Sequence, residues 1–191
     1  LEQHGNGGLS VRAAAATYAV FGALGVTCVA IRGSWADLHP VGPRGAAYDL
    51  ALGTAVGLLG VAASHGLSRG WARARALEER LAAAVGPVSA TKALALAMVS
   101  SAGEEVLFRG GLQPWFGLWL TGAAFGFLHG FATTTLWVWT VMATAMGWVL
   151  GALYAHTEAL GAPWAAHFVL NAINLYLLGQ RAAITGRQSL D

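Results

Sequence analysis

Two adjacent carboxylates, Glu104 and Glu105, stand inside an otherwise apolar stretch and are followed one helical turn later by Arg109. An intramembrane charge costs about 2.5–3.5 kcal/mol on insertion scales, so ionisable residues in such a place are functional candidates by default. Helix geometry separates their tasks. Glu105 and Arg109 are i, i+4 and share a face on which they can pair. Glu104 projects about 100° away and is left for other work. A structural ion-pair network between two helices is the competing reading of the same residues. Two histidines add to the signal. Phe125 and His129 are i, i+4 on one candidate helix, and His167 and Asn171 are i, i+4 on another, so each pair projects from a single face. A lone histidine on an apolar helix is more often a hydrogen-bonded core residue than a catalyst. A Glu–His couple, however, can act on water as general base, and a His–Asn couple can donate hydrogen bonds to an oxyanion. Those are the parts that peptide hydrolysis needs.

The elements that must position these residues are membrane helices. Of 191 residues, 56% are hydrophobic and 10% charged, with a mean hydropathy of +0.56, whereas a soluble domain is about 25% charged. That excludes an ordinary soluble domain, a disordered chain and a collagen-like one. The net charge of +2 is spread along the chain, so no nucleic-acid partner is expected and the cations read as topology markers. Cys28 is the one cysteine, which leaves no intrachain disulfide to form. Uncharged runs able to cross a hydrocarbon core roughly 30 Å thick cover residues 13–31 and 50–68. Residues 71–85 mix arginine and glutamate with Leu77 and Leu81 one turn apart, the pattern of an interfacial amphipathic helix. Gly86-Pro87 ends it, and Ser89 is placed to cap the glutamate-bearing helix, expected to run to Gly110. Residues 110–157 hold no Asp, Glu, Lys or Arg. They suffice for two spans, with the polar string 130–135 as the natural break. Residues 158–163 make a turn, and 164–179 form a last span.

The expected fold is therefore all-α, a polytopic bundle of about six to seven transmembrane helices plus the interfacial one. The seventh arises if residues 111–119, around Pro114, fold as a separate element. Residues 1–87 form two spans and the amphipathic helix, 88–179 the chemistry-bearing bundle, and 180–191 a tail. The dense cationic loop after residue 69 belongs in the cytoplasm by the positive-inside rule, which puts both termini there, with Arg12 and Arg181 in agreement. The first span is too long for a signal-peptide core and lacks a small-residue cleavage site, so no cleavable signal is expected. The usage of Ala, Gly, Arg and Trp hints at a bacterial source, hence a multi-pass protein of the bacterial cell membrane with the lipid bilayer as a partner.

Three motifs in order carry a family resemblance. Residues 104–109 read EExxxR, 125–129 read FxxxH and 167–171 read HxxxN. On three successive hydrophobic segments, this set resembles the CPBP (CAAX protease and bacteriocin-processing, Abi) family of intramembrane glutamic endopeptidases, over about residues 88–179. The resemblance implies that Glu104 and His129 activate the attacking water and that His167 and Asn171 stabilise the oxyanion. Glu105, Arg109 and Phe125 take supporting places. No metal and no cofactor are implied. The implied partner is a protein or peptide substrate at the membrane: relatives process prenylated CAAX termini, bacteriocin leaders or C-terminal sorting tails.

Rival chemistries fit less well. A zinc protease would use Glu and His, but HExxH is absent and no two histidines are i, i+4. Cys28 sits mid-span without a nearby His, and Ser100 and Ser101 lack the context of a serine nucleophile. A non-proteolytic membrane protein of the same fold, serving immunity or anchoring, is the alternative of a different class. A transporter would show an internal repeat or broken helices in both halves. His4, His39, His65 and His156 fall at ends or loops and read as solvent or interface contacts. Most of the eight tryptophans lie near proposed span ends, as an aromatic belt requires.

Overall fold

A computed structural model describes residues 10–130 and 137–188, which are overwhelmingly helical. Helix α1 (Val11–Arg32) starts where the Ser10 side chain accepts from the Ala13 N–H and stops at Gly33, whose φ of 68° satisfies the last carbonyls. A short 3-10 turn, Trp35–Leu38, leads to α2 (Ala46–Gly70), and α3 (Ala72–Val85) follows after Trp71. The amphipathic reading of this third helix holds: Ala74, Leu77, Ala82 and Val85 are buried along one side, while Arg73, Arg75, Glu79 and Arg80 are exposed.

Helix α4 (Ala90–Glu105) begins as expected, with the Ser89 side chain accepting from the Lys92 N–H. It does not stop at Gly110. The chain widens into a π-helical segment, Val106–Leu112, and passes directly into α5 (Gln113–Gly130). The break comes at Gly117, whose φ of 75° and ψ of 167° interrupt α5. Only glycine takes that conformation at no steric cost. The separate element expected around Pro114 is thus the leading turn of a kinked helix. Helix α6 is Trp137–Thr157 and α7 is Gly161–Gln188. The expected break between them and α5 falls largely on residues 131–136, which lie outside the described residues, as does His4. Helix α7 also runs well past Gly179, so most of the expected tail is helical.

Among the described residues, three helices, α1, α2 and α6, are long and apolar enough to cross a membrane; a fourth span is reached if α3 and the run 90–130, bent by 102°, count as one. The all-α membrane bundle is as expected, and length and composition alone single out three or four of the six to seven expected spans. The shortfall lies in the helices that carry the chemistry. Glu104, Glu105 and Arg109 lower the hydropathy of the α4–α5 run, and Asn171, Asn174, Gln180 and Arg181 lower that of α7.

Packing relies on small residues at helix crossings, as membrane bundles do. Helix α1 lies against α4 and the π segment, α2 against α7, and α5 against α6. Gly126 faces Thr144 so closely that a Cβ there would collide with the Thr144 hydroxyl and backbone. Gly53 and Gly57 admit the Ala162 and Ala166 carbonyls of α7 in the same way. The core next to the glutamates consists of Leu107, Phe108, Phe125 and Ala143, with Phe21 packed on it.

Candidate active site

The last turn of α4 places Glu104 and Glu105 inside the bundle, with relative exposures of 5% and 1%. Each has a separate set of neighbours. Glu105 accepts from Arg109 Nη1 at 3.2 Å, and Arg109 Nε stands 3.2 Å from its second oxygen, at an angle that makes the latter a charge contact rather than a hydrogen bond. Arg109, itself 1% exposed, continues across the bundle. Its Nη2 donates to the Gly147 carbonyl of α6 at 3.0 Å, and its guanidinium lies 4.8 Å from the centre of the Phe125 ring. One turn on, Gln113 Nε2 donates to the Gly151 carbonyl at 2.9 Å. The i, i+4 pairing read from the sequence is present.

Glu105 also holds His167, whose Nδ1 is 2.7 Å from Oε1. This contact was not legible in the sequence. With an ionised Glu105 accepting, Nδ1 is the protonated nitrogen and Nε2 is turned toward Glu104.

Glu104 Oε2 stands 3.8 Å from His129 Nε2 and 3.6 Å from His167 Nε2. Both separations exceed a hydrogen bond, and Oε2 is buried with no hydrogen-bond partner. On its far side, His129 Nδ1 is 2.7 Å from the Phe125 carbonyl. A carbonyl only accepts, so Nδ1 carries the proton, and in the neutral ring Nε2 presents a lone pair toward Glu104. The Phe125 ring packs 4.4 Å from His129 and 5.7 Å from His167, centre to centre. It fixes both imidazoles from one position.

Asn171 is tied to Ser100, donating from Nδ2 to the hydroxyl at 3.2 Å. Ser100 is one turn before Glu104, so α4 and α7 are joined twice, at Ser100–Asn171 and at Glu105–His167. Three of the four core residues converge on one oxygen, and the fourth is anchored one turn along both helices. These residues form a packed nest rather than an open pocket: the Glu104 and His167 side chains are 6% and 4% exposed, and His129, at 23%, is its accessible edge. Two cavities of about 410 and 550 Å³ lie at helix ends and do not include these residues. Among the described residues, no group of three His, Cys, Asp or Glu side chains is placed to hold a metal ion.

Tyr18 escapes the sequence reading. Helix α1 brings it beside Glu104, close enough for the two side chains to interact electrostatically. The approach is possible because Gly103 has no side chain to strike the Tyr18 backbone. A hydroxyl inside a long apolar run was the one available signal. Ser100, set aside as a nucleophile, was not recognised as a partner of Asn171.

A polytopic α-helical membrane bundle with a buried Glu–His cluster is the class these observations define. Residues 86–173 match the family model described as type II CAAX prenyl endopeptidase Rce1-like. The resemblance drawn from the three motifs holds over that segment, which contains Glu104, His129, His167 and Asn171. The chain is a multi-pass membrane protein that is similar to CAAX-type proteases over that segment. It is also similar to the uncharacterized protein YpbD of Bacillus subtilis (strain 168), with 38% identity over 78 residues, 41% of each chain. The chain thus spans less than half the length of the curated relative it matches. No solved structure matches.

Proposed function

We propose that the protein is an intramembrane endopeptidase that hydrolyses a peptide bond in the C-terminal tail or leader of a membrane-associated protein or peptide. The reading rests on one observation: a buried carboxylate oxygen with no hydrogen-bond partner, 3.8 and 3.6 Å from two imidazole Nε2 atoms. Glu104 Oε2 and the neutral His129 Nε2 are both acceptors. A water between them donates one hydrogen bond to each and keeps an oxygen lone pair for the scissile carbonyl carbon; as it attacks, one of its protons passes to the Glu104–His129 pair. The water O–C bond forms as the carbonyl π bond opens to an oxyanion, and the proton taken up is then delivered to the leaving amine as the C–N bond breaks. Asn171, and His167 when its Nε2 carries a proton, supply the donors that the oxyanion requires. Glu105 and Arg109 hold His167 and the two helices in register.

The test is cleavage by the purified full chain in proteoliposomes, guided by comparison of protein termini in cells with and without the gene. Cleavage that disappears in Glu104→Ala while the variant keeps its helicity supports this reading; full activity of that variant rejects it.

A further inference from the structure

We infer that the protein carries a second site, a phosphate-binding cavity for an anionic phospholipid headgroup, where the C-terminal parts of α2 and α7 meet α3. It goes beyond the hydrolytic reading and does not depend on it. The cavity, about 410 Å³, is lined by Arg69 from the last turn of α2, by Arg75 and Glu78 from α3, and by Leu177, Arg181 and Ile184 from α7, among others. That volume is in the range of small-molecule sites.

Charge decides the class of occupant. Glu78 Oε1 pairs with Arg181 Nε at 3.1 Å, which balances one of the three guanidinium groups. Arg69 and Arg75 form no ion pair among the described residues and are exposed at the rim. Two uncompensated guanidinium groups from different helices facing one cavity favour an anion, and their planar forks suit phosphate oxygens.

Position decides the source. Helix α2 qualifies as a membrane span, and the cavity lies at its charged end beside the amphipathic α3, the level occupied by lipid headgroups. The cationic rim passes into an apolar wall, where Leu177 is half-buried and Ile184 is 59% exposed. A soluble phosphate leaves that wall in water, whereas a phospholipid places its phosphate between the arginines and its glycerol and upper acyl chain along Leu177 and Ile184. Basic pockets between helices at a cytoplasmic membrane face bind anionic headgroups by this division of polar and apolar walls. The occupant bridges three helices, one of which carries His167 and Asn171.

The experiment is thermal unfolding of the full chain in a neutral detergent, titrated with dioctanoylphosphatidylglycerol, with dioctanoylphosphatidylcholine and with inorganic phosphate. The expected result is a saturable rise in Tm with phosphatidylglycerol and none at matched concentration with the other two. Arg69→Gln/Arg75→Gln should need roughly thirtyfold more lipid, the loss of two arginine–headgroup contacts. Arg73→Gln/Arg80→Gln, which removes the same charge from α3 outside the cavity, should respond as the wild type does. An unchanged midpoint in the first variant, an equal loss in the second, or an equal rise with phosphatidylcholine overturns the site. An equal rise with phosphate alone overturns the lipid assignment. Crosslinking of a photoreactive phosphatidylglycerol to the wild-type chain requires no variant. Adducts on residues 177–184 are expected, and adducts confined to other helices reject the proposal.

Discussion

Glu105 Oε1 lies 2.7 Å from His167 Nδ1 across 62 residues of sequence, and the same oxygen accepts from Arg109. One buried carboxylate therefore joins the first and third motifs. It fixes which His167 nitrogen faces Glu104, because an imidazole whose Nδ1 proton is engaged must turn Nε2 the other way. Adjacent glutamates thereby take unlike tasks. Glu104 Oε2 faces the Nε2 atoms of both imidazoles, while Glu105 is committed to Arg109 and His167.

Glu104→Ala and His129→Ala are each expected to reduce peptide cleavage by about 10²–10⁴-fold, the usual contribution of a general base. Circular dichroism should show unchanged helicity. Initial rates on a reconstituted peptide substrate provide the check.

Glu105→Ala and Arg109→Ala should act mainly on folding. Removing one partner leaves the other charge buried and unpaired, a loss of about 3–5 kcal/mol. Denaturant or thermal unfolding in detergent measures it. The mechanism predicts that Glu105→Ala also lowers the rate among molecules that remain folded, since His167 loses its anchor. A stable Arg109→Ala protein with full activity would contradict this assignment.

Tyr18→Phe removes only the hydroxyl that faces Glu104. A several-fold fall in kcat with KM and thermal stability unchanged is expected, as for a residue that positions the carboxylate rather than binding substrate. An equal fall in Tyr176→Phe, on α7, would show the effect to be nonspecific.

The three motifs were legible because a charge or imidazole in an apolar helix is conspicuous. Glu104, Glu105, Arg109, His129, His167 and Asn171 could be picked out on that basis, and i, i+4 geometry correctly assigned the Glu105–Arg109 pair. The ends of α1 and α2 were legible for the same reason, since Arg12, Arg32, Asp49 and Arg69 bracket them. What depends on tertiary contact was not legible. The Glu105–His167 bond depends on how α7 leans on α4, and the place of Tyr18 depends on Gly103 of the neighbouring α4. The π segment was also hidden: Gly110 and Gly111 within Val106–Leu112 weaken helix propensity but do not by themselves specify a π-helical turn.

Small residues at helix crossings give a prediction with its own control. Gly126→Ala should destabilise by about 1–3 kcal/mol or more, because the new methyl meets Thr144 on α6. Gly22→Ala, with nothing within 4 Å of the added carbon, should be neutral or stabilise by up to about 1 kcal/mol through helix propensity. Paired melting curves of the two variants decide it.

Prolonged chelation is expected to leave cleavage intact if Glu104 and His129 suffice to activate water. Activity lost on chelation and restored by zinc would move the protein to metal-dependent hydrolysis.

Each i→i+5 turn holds one residue more than an α-helical turn, so the π segment acts as a phase adjuster between two halves of one long helix. Upstream of it, the azimuth of Glu104 and Glu105 is set by α1 and α7. Within it and just beyond it, Arg109 and Gln113 meet the α6 carbonyls of Gly147 and Gly151. A uniform α-helix shortened there by one residue would turn everything beyond it by about 100° relative to the glutamates. Gln113 would leave Gly151, and His129 would rotate away from Glu104. The spacing between the first two motifs is therefore an angular coordinate as much as a length, and insertions or deletions between Arg109 and Phe125 are constrained in steps of whole turns.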